Sequence, residues 1–183
     1  DLVLTPSWTW HDHFNGSEQP MIWMDGLDIP TILALDAIFF EEFPHLYQTV
    51  QNGHNMSERV FGGRGTLPLG LSSTNRYSPL LVYRWSETNA ALAALLEAQG
   101  GPMVSLEFVN PATGRSALPT LGCEMHRVIP SEHTRPYRKV GSSVFHVFRG
   151  RGYSIINGQY FDWSQGDMFV VPSWAIVEHN AIE

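Results

Sequence analysis

Asp1-Leu2-Val3-Leu4-Thr5-Pro6-Ser7-Trp8-Thr9-Trp10-His11-Asp12-His13 returns later in the chain as Asp167-Met168-Phe169-Val170-Val171-Pro172-Ser173-Trp174-Ala175-Ile176-Val177-Glu178-His179. The offset is 166 positions throughout; Asp, Pro, Ser, Trp and the final His are identical, and Asp12 answers Glu178. An internal repeat decides the architecture before any single element does. Two copies of one domain, each with its linker, produce this pattern.

The second copy is preceded by strand patterns at residues 143–148, 153–156 and 159–163. Gly150-Arg151-Gly152, Asn157-Gly158 and Gln165-Gly166 read as the turns between them, and Asn-Gly is a strong hairpin signal. The first copy starts at its counterpart of Asp167 with none of those strands, and the second stops just past its motif. Both ends therefore read as cut inside a barrel, which would leave an open sheet edge.

Between the copies, residues 21–30 form an apolar strand-like run and residues 36–42 a short helix. Residues 51–74, rich in Gly, Asn and Ser, read as an exposed loop. Ser86 can cap a helix over residues 87–99 with Leu92, Leu95 and Leu96 on one face, ended by Gly100-Gly101. From Met103 onward the pattern is β again.

Composition narrows the function classes. A net charge of -7, with basic residues scattered except for Arg135, Arg138 and Lys139, argues against nucleic acid. That cluster could hold a carboxylate but reads better as a solvated rim. No apolar run reaches the length of a membrane span, and no signal peptide is visible. The single Cys123 excludes an internal disulfide and fits a reducing compartment such as the cytoplasm; it reads as a small buried hydrophobe.

The residues that can carry chemistry are in Trp8-Thr9-Trp10-His11-Asp12-His13. On a strand, His11 and His13 share one face and Asp12 takes the other. Two imidazoles so placed can serve a first-row metal, or one can ligate while the other handles protons. His45, His54, His126, His133 and His146 show no ligand spacing and read as structural or surface residues. Trp8 and Trp174 read as core wedges, and Asp25 before Gly26 reads locally as a turn residue.

The run from Thr5 to His13 followed by Ile22-Trp23-Met24-Asp25-Gly26-Leu27-Asp28-Ile29-Pro30 resembles the gentisate 1,2-dioxygenases and the related salicylate and 1-hydroxy-2-naphthoate dioxygenases. So do Ser78-Pro79-Leu80-Leu81-Val82-Tyr83-Arg84-Trp85, Phe108-Val109-Asn110-Pro111-Ala112-Thr113-Gly114 and Phe161-Asp162-Trp163-Ser164-Gln165-Gly166-Asp167. The resemblance implies an all-β-dominated cupin fold, a jelly-roll barrel in a bicupin fragment with short connecting helices. Residues 1–80 would be the C-terminal remnant of a first, iron-binding barrel and 81–101 a helical linker. Residues 102–183 would be a second, metal-free barrel truncated at its C-terminus.

It also implies Fe(II) held by three histidines, of which His11 would be one and an upstream His-x-His strand the other two. His13 would act on substrate as an acid/base or hydrogen-bonding group, and Asp25 would help position a small aromatic acid. Three protein ligands leave positions for substrate and dioxygen. The implied assembly is a homo-oligomer, a tetramer. The departures are specific: the upstream His-x-His strand is not in these residues, and the second copy has Tyr137, Lys139 and Val177 at the three ligand positions. His179, at the position of His13, then reads as a structural hydrogen bonder. The competing readings are a non-catalytic cupin module for binding or assembly, and a cupin enzyme for a sugar or keto acid.

Overall fold

The computed structural model describes residues 1–63, 65–71 and 76–183. Among these residues strands outnumber helices nine to three, as a β-dominated fold requires. The chain divides into two compact units, Asp1–Trp85 with Glu107–Cys123, and Ser86–Leu106 with Glu124–Glu183.

In the first unit, β1 (Leu2–Val3) pairs antiparallel with β2 (Val82–Tyr83), in the register Leu2↔Tyr83 and Val3↔Val82. The join is held by charge: Arg84 makes two 2.6 Å hydrogen bonds to the Glu58 carboxylate and a third, at 2.9 Å, to Asp1. These bonds favour the ionised carboxylate and hold Glu58 below the usual carboxylate range. Helix α1 (Ile29–Ala34) and helix α2 (Met56–Phe61) are single short pieces.

Several local expectations fail here for physical reasons. The run Trp8 to His13 is not a strand, and of the strand-like run 21–30 residues 21–28 are irregular chain, exposed but for the half-buried Asp28. The helix expected at residues 36–42 lies earlier, at Ile29–Ala34, where Pro30 opens it and the left-handed Asp36 (φ 52) closes it. The loop expected at residues 51–74 contains α2; positions 64 and 72–74 of it lie outside the described residues.

In the second unit, α3 (Trp85–Gln99, whose first residue falls in the first unit) starts slightly before the expected cap and buries Thr88 and Leu92. Strand β3 (Met103–Glu107) pairs with β4 (Glu124–Val128). Strand β5 (Ser143–His146) pairs with β8 (Met168–Val171), and β6 (Arg151–Ile156) lies between β7 (Gln159–Ser164) and β9 (Val177–Ala181). Alternation along β5 and β8 sends Phe145, Phe169 and Val171 inward, onto a core of Ile156, Ala175 and Val177. Gly150-Arg151-Gly152 is not wholly a turn, because Arg151 and Gly152 belong to β6.

The Asn157-Gly158 turn is as expected. Ile156 pairs with Gln159 across a two-residue loop in which Asn157 (φ 49) and Gly158 (φ 82) are both left-handed. Alanine at 158 is expected to cost about 1 kcal/mol through that backbone conformation alone, read as a small drop in the denaturation midpoint, because nothing stands near its Cβ position.

The repeat is real in the backbone. Trp8 and Trp174, at matching positions, both have φ 66. In the second copy Ala175 N–H closes the turn onto Pro172 C=O at 3.1 Å; in the first, Thr9 Oγ1 donates to Pro6 C=O at 2.5 Å. Neither tryptophan is a core wedge: they are 85% and 59% exposed, since each sits at the tip of its turn.

Candidate functional site

The second copy shows how the motif folds when its strand partner is present. Val177 and His179 lie two apart on β9 and are 2% and 3% exposed, so both face inward. They occupy the positions of His11 and His13. Tyr137 sits opposite Val177 and exchanges two backbone hydrogen bonds of 2.9 Å with it. Lys139 ion-pairs with Glu124, whose other oxygen lies 3.3 Å from His126 Nε2.

His179 is fully engaged. Its Nδ1 lies 2.8 Å from Ser154 Oγ and its Nε2 3.0 Å from Tyr137 Oη, while Trp163 N–H donates to Ser154 Oγ at 2.9 Å. Its own backbone N–H donates to Thr134 Oγ1 at 2.7 Å. Burial, reinforced by His126, pushes the imidazole down to about 4. It is a neutral structural hydrogen bonder, as its place in the second copy led us to expect.

In the second copy β6 holds β9, whereas in the first the run around His11 and His13 has no ladder partner among the described residues. Without a ladder neighbour a strand leaves its peptide groups to water. His11 and His13 are accordingly exposed, their rings 5.5 Å apart and edge to face. Aromatic contacts secure the run instead: Trp8 on Phe39 at 4.5 Å and Trp10 on Phe43 at 5.3 Å, with Trp10 N–H donating to Glu41 C=O. Trp23 stacks on His13 at 4.7 Å, and Asp25 is exposed two residues further on. Among the described residues no group of three or more His, Cys, Asp or Glu side chains is placed to hold a metal ion. By themselves, then, His11, His13 and Asp25 do not fit a complete iron site.

The remaining histidines lie at the surface or are hydrogen-bonded within the fold. His45, His54 and His146 are exposed. His126 Nδ1 lies 2.7 Å from Ser105 Oγ, and His133 bonds Asn180. Arg135, Arg138 and Lys139 face solvent, with Arg138 over the Trp174 ring at 5.9 Å. Cys123 is half-buried. Sequence reasoning missed Trp23 and Trp163, although both sit in family-like stretches, and missed Ser154, which carries no local signal.

No family model matches the chain. It is 43% identical over 190 residues to a gentisate 1,2-dioxygenase of Streptomyces sp, covering 99% of this chain and 53% of that protein. A 5-aminosalicylate 1,2-dioxygenase of Comamonas sp is 37% identical, with 98% and 48% covered. The solved salicylate 1,2-dioxygenase of Pseudoaminobacter salicylatoxidans, as a variant in complex with gentisate, superposes with a TM-score of 0.88 at 40% identity, covering 98% of this chain and 52% of that one. The chain belongs to the gentisate and salicylate 1,2-dioxygenase family. Its fold is accordingly the β-dominated cupin fold of those dioxygenases. The chain spans about half the length of the curated relatives it matches. Among the described residues no helix is long and apolar enough to cross a membrane.

Proposed function

We propose that this chain is part of a non-haem Fe(II) dioxygenase that opens the ring of gentisate or a related hydroxylated aromatic acid with O2. What carries the reading is the match, over 98–99% of the chain, to proteins named for that chemistry, one of them solved with gentisate bound. In this reading His11 is one iron ligand, and two further histidines come from residues outside this sequence. His13, steadied by the Trp23 ring, faces the substrate as acid/base or hydrogen-bond donor, and Asp25 helps position the aromatic acid. Residues 1–80 close the iron barrel and 81–101 form a helical linker. Residues 102–183 form a barrel that binds no metal, its interior occupied by the His179 network. The whole enzyme is a cytoplasmic homotetramer.

The test uses the full-length enzyme. It is expected to bind about one Fe(II) per chain and to consume O2 with gentisate, salicylate or hydroxynaphthoate. His11→Ala is expected to lose both iron and turnover. His13→Ala should keep its iron and lose about 10²- to 10⁴-fold in kcat, the usual range for a general acid/base. Full iron content and turnover in His11→Ala would overturn the ligand assignment. This 183-residue chain alone is expected to retain no stoichiometric iron after dialysis.

A further inference from the structure

The Asn157-Gly158 loop joins a turn to a chemical reactivity. An asparagine amide can be attacked by the next backbone nitrogen, and glycine leaves that nitrogen unshielded. Asn15-Gly16 and Asn52-Gly53 share the pairing, but only Asn157-Gly158 is the whole loop of a hairpin, closed by Ile156↔Gln159. Its φ values of 49 and 82 are those of a type I′ turn. In types I′ and II′ alike the first central residue has φ near about +60°, but its ψ is near about +30° in the one and about −120° in the other. The two forms therefore differ by a flip of the single peptide plane between Asn157 and Gly158. That plane has room to turn: both residues are exposed, and a Cβ placed on Gly158 would meet nothing within 4 Å. Glycine takes either sign of φ readily, so Gly158 follows the flip.

The flip sets up a ring closure. Around the Cα–C bond, Cβ stands about 120° from the backbone nitrogen, so the type II′ value of ψ brings Gly158 N level with Asn157 Cβ. A five-membered ring through Cγ needs that arrangement. The side chain meanwhile is anchored: Oδ1 accepts the Ile176 N–H at 3.0 Å, and Asn157 N–H donates to Ile176 C=O at 2.9 Å. An N–H on Oδ1 also polarises the Cγ carbonyl and stabilises the charge that attack puts on its oxygen.

We propose that Asn157 is a site of spontaneous covalent modification in the folded protein, closing to a succinimide through the type II′ form of its own turn. Gly158 N loses its proton to solvent and bonds to Cγ; the Cγ–Nδ2 bond breaks, and Nδ2 leaves as ammonia with a proton from solvent. Water then opens the ring. Addition at Cγ gives aspartate, and addition at the main-chain carbonyl gives isoaspartate, whose backbone runs through Cβ. The net change is water consumed and ammonia released, with no oxidation or reduction. Either product adds a negative charge at the tip. Isoaspartate also lengthens the loop beside Ile176, the residue that leads into Val177 and His179. The inference rests on the turn and not on the dioxygenase reading.

The test incubates the full-length protein in mildly alkaline buffer, with and without unfolding urea. Proteolytic fragments are then read by mass spectrometry for amide-to-acid conversion at each Asn-Gly pair. In urea all three pairs are expected to convert. In native buffer Asn157 should convert within about tenfold of its rate in urea, because a hairpin tip rearranges at little cost. A methyltransferase specific for isoaspartate should label the fragment that contains it. Gly158→Ala separates the chemistry from the turn. Its methyl group slows attack in urea, yet an L residue disfavours the positive φ of type I′ and shifts the turn toward type II′. The ratio of native to urea rates should therefore rise about fivefold. An Asn157 that stays intact in native buffer, whether or not urea releases it, would overturn the proposal. An unchanged ratio in Gly158→Ala would overturn the type II′ route.

Discussion

Acidification from pH 7 to pH 4 is expected to remove roughly 3 kcal/mol from the stability of the second unit through His179 alone. An unfolded chain protonates this imidazole near 6.5, whereas the folded one resists until about 4. Between those values the unfolded state holds more protons and gains on the folded state. The contribution of the buried neutral ring is therefore complete above pH 6.5 and is lost as the pH falls to about 4. At about 1.4 kcal/mol per pH unit that window is worth roughly 3 kcal/mol. His126, lowered by burial despite Glu124 beside it, acts in the same direction. Tyr137 is raised by burial and stays neutral throughout. Urea unfolding across this pH range should show a steep loss that His179→Gln flattens, from a lower starting stability at pH 7. If His179→Gln leaves the slope unchanged, the acid sensitivity belongs to other groups.

The second large effect is expected at Gly152. It lies on β6 between β7 and β9, paired with Trp163 on one side and Ala181 on the other. A Cβ there would stand 2.1 Å from Asn180 C=O and 2.4 Å from the Trp163 ring. The carbonyl is backbone in a ladder and cannot yield, so the ring or the strand must move. Moving Trp163 also withdraws its N–H from Ser154 and so disturbs the hydroxyl bonded to His179. Gly152→Ala is expected to cost about 3 kcal/mol or more, the upper end of overpacking effects. Gly166→Ala, with φ +92 and nothing near its Cβ position, should cost only about 1–2 kcal/mol. Denaturant midpoints of the two variants decide the matter; equal small losses would show that the strands tolerate a methyl group.

Gly152 also marks how far the sequence could be read. Its spacing from Gly150 reads as a turn, because sequence records the residue's freedom and not the neighbour that requires it to be small. Asn157-Gly158 was legible since two left-handed residues in a two-residue hairpin are a local requirement. The strands of the second unit were legible too, because alternation is local and their partners lie nearby in the chain. The strand considered for residues 8–13 is absent for the opposite reason. Their pattern matches β9, but a strand exists only in a ladder, and among the described residues they pair with none.

The candidate site divides along the same line. Sequence alone determined the repeat, the β-dominated class, the likeness to ring-cleaving dioxygenases, and His11, His13 and Asp25 as the residues to question. Only the tertiary structure decided which side chains meet. It stacked Trp23 on His13, enclosed His179 among Ser154, Tyr137 and Trp163, and set Lys139 against Glu124. The His179 contacts join residues up to 42 positions apart, and the ladder register that brings them together is a property of paired strands, not of either strand alone; the Trp23–His13 stack joins stretches that no ladder holds.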